Sequence, residues 1–116
     1  MKKIEAYIKP HKLSDVTMAL QKVEGLRGMS VLAARGFGCR EGSGKQCLKI
    51  DDLMDFSDHT KIEIFCNDDL TEELVSVIDR IAKTGLRGDG KIYVSDVEKA
   101  FKIGKGAIDN RQEKGE

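Results

Sequence analysis

The sequence predicts an α+β fold of order β-α-β-β-α-β, and three observations carry that prediction. Apolar residues alternate at period two in short separate runs, Ile4-Ala6-Ile8 and Ile62-Ile64-Cys66. Leu13, Val16, Leu20 and Val23, and later Leu74, Ile78 and Ile81, recur instead at helical spacing. Glycine clusters separate these runs, around residues 36–44 and again at 85–90. A four-stranded antiparallel sheet with both helices on one face, the ferredoxin-like sandwich, satisfies that order.

Each element follows from its residues. Lys2 to Lys9 alternates and stops at Pro10, the mark of a half-buried strand. The first helix carries Leu13 to Val23 on its buried stripe, with Gly25 placed to end it. Met29 to Gly38 begins β-branched and small and turns glycine-rich, a second strand. Residues 39–58 follow neither period. They hold Gly42, Ser43 and Gly44 and an acidic run at Asp51, Asp52, Asp55 and Asp58, so a long loop is expected there, a length usually tied to function or disorder. Lys61 to Cys66 is the third strand. Asn67, Asp68, Asp69 and Thr71 are candidate caps for a second helix, whose first turn carries Glu72 and Glu73, where the dipole favours acids. Ile92-Tyr93-Val94 is the fourth strand, residues 97–103 a short edge element, and the polar stretch 107–116 a disordered tail beyond a domain spanning 1–106. The sheet face without helices has Phe65 opposite Ile62 and Ile64, and oligomerisation through that face is the expected way to cover it.

Composition narrows the function. At 116 residues the chain is one domain with room for a core, and 40% apolar with 34% charged residues is ordinary for a globular protein. Twenty basic residues balance twenty acidic ones, which argues against nucleic-acid binding by phosphate neutralisation. No apolar run approaches the roughly 18 residues of a membrane span, and MKKIEAYIKP has no signal-peptide core, so no membrane insertion and a cytoplasmic location are expected. Three cysteines, Cys39, Cys47 and Cys66, and two histidines, His11 and His59, form no local metal motif. Cys39, Cys47 and His59 remain weak candidates for a redox or soft-metal switch. No nucleophile–base pair stands out, and a non-catalytic protein is expected.

The most chemical stretch is Thr84-Gly85-Leu86-Arg87-Gly88-Asp89-Gly90-Lys91, between the second helix and the last strand. Glycines let a tight backbone turn its N–H groups toward an anion, and the lysine adds a full charge. It is a phosphate cradle in composition. It has neither Walker nor Rossmann spacing.

In this setting the chain resembles the PII nitrogen-regulatory signal-transduction proteins over nearly its whole length. Met1-Lys2-Lys3-Ile4-Glu5-Ala6 with Ile8-Lys9-Pro10 looks like the family's first strand, and Arg35-Gly36-Phe37-Gly38 like the turn into its target-binding T-loop. Lys61-Ile62-Glu63-Ile64 resembles the strand leaving that loop, and Thr84 to Val94 the B-loop signature with Tyr93 at an aromatic position. The resemblance implies a T-loop at about 39–58, a B-loop at 84–91, and a homotrimer with adenine-nucleotide sites between subunits. Gly88, Asp89, Gly90 and Lys91 would then hold phosphates, Gly36 and Gly38 would admit the ligand to the backbone, and Phe65 would lie near the adenine. Met29, Ser30 and Lys102 would come from the neighbouring subunit, and Glu63 would contact ribose or base across the cleft.

The departures are as specific as the matches. Cys39 and Arg40 stand where the family has arginine and a glutamine that assists Mg²⁺ and 2-oxoglutarate, and His59 stands at the lysine that pairs with 2-oxoglutarate. Asp52 occupies the place of the uridylylated tyrosine, residues 39–58 contain no tyrosine, and a second phosphate-binding arginine becomes Gly104. These changes imply ADP or AMP as ligand at least as much as ATP, with Mg²⁺ left open. Arg40 and His59 are candidates for a small second anion such as bicarbonate. The expected role is a sensor acting through its T-loop on a membrane transporter or metabolic enzyme. A nitrogen-regulatory 2-oxoglutarate and ATP sensor with altered ligands, or a metal-responsive trimer like CutA, are the alternatives.

Overall fold

Strand β1 (Lys2–Ile8) is the central strand on which the rest of the molecule is registered. It pairs antiparallel with β3 (Ser57–Cys66) on one side and β4 (Lys91–Asp96) on the other, and β2 (Ser30–Gly36) adds to the outer edge of β3. The sheet order is thus β2-β3-β1-β4, the ferredoxin-like order, in a computed structural model that describes residues 1–38 and 56–108. Cys39, Arg40, Cys47, the acidic residues Asp51, Asp52 and Asp55, and the tail from 109 lie outside the described residues.

Helices α1 (Leu13–Gln21) and α2 (Thr71–Ala82) pack side by side on one face. The period-two runs point their apolar members at them: Ile4, Ala6, Ile8, Ile62, Ile64 and Cys66 are buried against Val16, Leu20, Leu74 and Ile78. Full burial of an isoleucine or leucine removes enough apolar surface from water to contribute about 1.5–3 kcal/mol. The two helical stripes and two strand alternations therefore form one contiguous core. Val23, read as part of the first helical stripe, lies past the helix end but is still buried.

Two local expectations change. No side chain caps α2. A 3₁₀ turn at Asp68–Leu70 precedes it, and the Leu70 N–H binds the Asn67 carbonyl at 3.0 Å while that of Thr71 binds the carbonyl of Asp68. The turn supplies the partners that a cap would otherwise provide, and Glu72 and Glu73 do occupy the first helical turn. The segment after β4 does not join the main sheet. Phe101–Lys102 (β5) and Gly106–Ala107 (β6) form their own hairpin, turned at Gly104 with φ +80°. Ala107 pairs with Phe101 in this hairpin, and the Ile108 N–H binds the Ala100 carbonyl at 2.8 Å.

The sheet face away from the helices, where the sequence pointed to Phe65, is not mainly apolar. Its centre is a quartet of alternating charges, Lys3, Glu5, Lys61 and Glu63, flanked by Tyr7, Phe65 and Tyr93. Lys61 Nζ lies 2.9 Å from both carboxylates, and Lys3 Nζ lies 3.5 Å from Glu5 and 3.7 Å from Glu63. Hydrogen bonding from Lys61 is the main reason that both carboxyls sit below the usual range, and the same two bonds hold the Lys61 ammonium above its own.

Ile62→Ala is expected to destabilise the fold by about 2–5 kcal/mol, as large-to-small changes at closed core sites do. Met18→Ala, on the exposed side of α1, should stay within about 0.5 kcal/mol. Urea unfolding at one fixed protein concentration measures both, and equal losses would refute this account of the core.

Candidate functional site

Helix α2 ends where Lys83 turns extended, with φ −67° and ψ 127°, and releases the chain into the cradle. Gly88 and Gly90 both have positive φ, +79° and +105°. At Gly90 the requirement is absolute. A Cβ there would stand 1.7 Å from the Tyr7 carbonyl oxygen, so the loop lies directly on the backbone of β1.

Asp89 is turned into the loop. Its Oδ2 accepts the N–H groups of Thr84 and Gly85, each at 3.0 Å, and its Oδ1 accepts the Thr84 hydroxyl and lies 3.2 Å from Lys9 Nζ. The Thr84 hydroxyl, the two N–H groups and Lys9 together hold this carboxyl far below the usual carboxylate range. The resemblance places Asp89 among the phosphate-holding residues. In the structure its carboxylate is already bonded to four donors and organises the loop, so a phosphate contact of Asp89 would run through its backbone N–H.

What the loop leaves available is cationic and donor-rich. The N–H groups of Arg87, Gly88 and Gly90 have no partner among the described residues, and Lys91 opens β4 with an exposed side chain opposite Tyr7. Successive N–H groups beside positive-φ glycines are the elements of an anion nest. Lys91 supplies a mobile point charge at its rim.

The structure brings several predicted residues to this end of the sheet. His59 Nε2 is 3.3 Å from the Gly88 carbonyl, which can only accept, so the Nε2–H tautomer ties β3 to the cradle. His59 pairs with Ala34, and Gly36 closes β2 opposite Ser57, with Gly38 two residues on. Phe37 and Phe56 meet edge to face at 5.2 Å, and Arg35 reaches both the Phe56 ring at 5.7 Å and Asp58 at 3.6 Å. These contacts join the end of β2 to the start of β3.

The remaining candidates are not brought here. Ser30 pairs with Glu63, Met29 precedes it, and Phe65 lies farther along β3, half-exposed beside Lys3. Four residues of strand separate His59 from Glu63, about 13 Å at about 3.3 Å per residue. The chain also leaves β4 at that far end, where the Val97 N–H binds the Met1 carbonyl at 3.1 Å, before reaching Lys102 in β5. One copy therefore splits its candidate residues between the two ends of β3. Arg40, Cys39 and Cys47 cannot be placed, and among the described residues no three His, Cys, Asp or Glu side chains converge.

Sequence reasoning gave no role to Lys9, Thr84 or the Lys3–Glu5–Lys61 part of the quartet. The quartet did have a signal: lysine and glutamate two apart on two separate strands, which puts both pairs on one sheet face. Lys9 had none.

The family model for nitrogen regulatory protein P-II matches residues 1–107. The chain is 48% identical over 103 residues to a nitrogen regulatory protein P-II of Bradyrhizobium diazoefficiens, covering 89% of this chain and 91% of the relative. It is 44% identical over 103 residues to the one from Pyropia yezoensis, with the same coverage. Over 110 residues it is 44% identical to nitrogen regulatory protein P-II 1 of Escherichia coli K12, covering 95% and 97%.

Two outcomes test this geometry. Gly90→Ala should cost about 2–4 kcal/mol through backbone overlap and strain, whereas Gly38→Ala, with open space around it, should be near neutral. Thermal unfolding of the two variants side by side decides it. For Asp89, a carboxyl lowered by folding stabilises the fold fully above the unfolded carboxylate pKa and loses that contribution as pH falls through the folded one. Carboxyl-carbon NMR should thus show Asp89 titrating well below an ordinary aspartate, and Thr84→Val should move the midpoint upward. An ordinary midpoint in the unmodified protein would contradict the network.

Proposed function

The chain belongs to the nitrogen regulatory protein P-II family, and on that premise we propose that it is a trimeric signalling protein binding adenine nucleotides between its subunits. The observation that supports this most is the division of the candidate residues. The cradle, Gly36, Gly38 and His59 sit at one end of β3, while Met29, Ser30, Glu63 and Phe65 sit at the other. Neither half encloses a nucleotide alone. A ring of copies that sets one end against the far end of its neighbour completes the site three times.

In this reading Lys91 and the N–H groups of Arg87, Gly88 and Gly90 receive the phosphates, and Lys102 adds a charge from the adjacent subunit. Phe65 packs on the adenine and Glu63 accepts from ribose or base. Lysine at 102 provides a point charge without the planar fork of arginine, and Gly104 provides none, so ADP or AMP competes well with ATP. The ligand changes the placement of the loop between β2 and β3, and that loop engages a target protein. A small anion such as bicarbonate, held by Arg40 with His59, is the second ligand.

A second reading has its own support. The similar proteins are named as nitrogen regulatory proteins, which favours a 2-oxoglutarate and ATP sensor that uses altered contacts. Against it stands His59, an imidazole directed to the Gly88 carbonyl where the family resemblance places a lysine.

Calorimetry with ATP, ADP and AMP, each with and without Mg²⁺, bicarbonate and 2-oxoglutarate, separates the two. Adenylate binding enhanced by bicarbonate is the expected result. Binding of 2-oxoglutarate that requires Mg-ATP would install the second reading, and no adenylate binding would overturn both. Lys91→Ala should weaken nucleotide binding about 10- to 100-fold, the worth of a charged hydrogen bond, while light scattering still reports a trimer. Unchanged affinity would remove Lys91 from the site.

A further inference from the structure

Lys9 follows the last residue of β1 and reaches a loop seventy-five residues away in sequence. Its Nζ donates to Thr84 Oγ1 at 3.0 Å and lies 3.2 Å from Asp89 Oδ1. Only about a fifth of its side chain is exposed. Its stem also approaches the turn, with Cε 3.9 Å from where a Cβ on Gly88 would be. No other side chain outside residues 84–91 bonds to Thr84 or Asp89 among the described residues.

The Thr84 hydroxyl shows why that contact is decisive. A hydroxyl has one proton to give and two lone pairs to fill. Here Lys9 and the Leu86 N–H, at 3.1 Å, are both donors and fill the lone pairs. The proton can then go only to Asp89. Asp89 in turn fixes the N–H groups of Thr84 and Gly85, which leaves those of Arg87, Gly88 and Gly90 as the loop's open donors. Lys9 also balances the Asp89 charge, which would otherwise oppose an anion at the same loop.

We propose that Lys9 is a positioning residue of the cradle: without touching the ligand, it holds Thr84 and Asp89 so that the loop's remaining N–H groups are preset for a phosphate. The ligand part of this inference rests on the nucleotide reading above. The clamp itself does not. A site organised only part of the time binds more weakly in proportion to the fraction organised, so losing the clamp lowers affinity without removing a ligand contact.

The test has two arms on the full-length protein. Without any ligand, amide hydrogen exchange should show the Thr84, Gly85 and Leu86 amides opening at least about tenfold faster in Lys9→Met, with the core of β1 and β3 unchanged. Lys9→Arg, which keeps the charge and donors, should restore most of the protection. Unaltered exchange in Lys9→Met overturns the clamp whatever the ligand is. The second arm is a double-mutant cycle read by ADP calorimetry with Lys9→Met, Asp89→Asn and the pair. Lys9→Met should weaken ADP about tenfold in the native background and less than twofold beside Asp89→Asn. Equal losses in both backgrounds would mean that Lys9 contacts the anion directly, which refutes positioning. If the unmodified protein binds none of the three adenylates, the nucleotide reading and the ligand part of this inference fall together, and the exchange arm alone still decides the clamp.

Discussion

The candidate cradle is organised around a carboxylate whose bonds are all taken by its own protein. Asp89 receives two backbone N–H groups and a hydroxyl from its own loop, and Lys9 lies at ion-pair distance from the end of β1. A loop rich in glycine has many conformations to lose, and an exposed turn has little apolar burial with which to offset that loss. Charged hydrogen bonds to one partly exposed anchor are the available substitute, since each is about twice as strong as a neutral one. Gly90 completes the constraint sterically by lying against the Tyr7 carbonyl. The cradle is therefore an extension of β1 as much as a linker between α2 and β4.

That dependence ties the site to the fold's centre. β1 pairs with both β3 and β4, carries Ile4, Ala6 and Ile8 into the core, and ends in the residues that hold the cradle. β3 carries the complementary information along its length. His59 meets the cradle at one end, and Glu63 and Phe65 stand at the other. On the trimeric reading, the strand's length sets the distance between the half-site a subunit offers and the half-site it completes next door. On that reading the same strand borders two clefts.

The fold was legible because its signals are local and repeated. Period-two runs at 4–8 and 62–66 and helical stripes at 13–20 and 74–81 each state a face, and six elements in order leave one economical sandwich. The tight turn of the candidate cradle was legible from Gly88 and Gly90 for the same reason: its signal lies in neighbouring residues. The role of Asp89 was not, because sequence gives a side chain's type and leaves its direction open. Lys9 was invisible because its partners at 84 and 89 are brought to it only by the β1–β4 pairing. The capping prediction for α2 failed through competition, since a 3₁₀ turn satisfied the same donors by a backbone route. The hairpin after β4 was read as an edge strand because a two-residue ladder has no period to display.

The quartet on the open face bears on how such a chain can assemble at all. Two lysines and two glutamates alternate there and neutralise one another within a single copy. Covering a charged face costs the hydration of every ion and costs more where an ion is left unpaired, and each of these ions keeps its partners within its own copy. The aromatic residues around the quartet, Phe65 and Tyr93 about half exposed, supply the apolar area that favours contact. A wholly apolar face would favour aggregation as readily as a closed ring, since any greasy surface would fit it. A patterned face restricts the acceptable partners to those that leave the ladder of charges intact. The face thus combines a reason to associate with a reason to associate in few ways, and the divided site proposed above requires both.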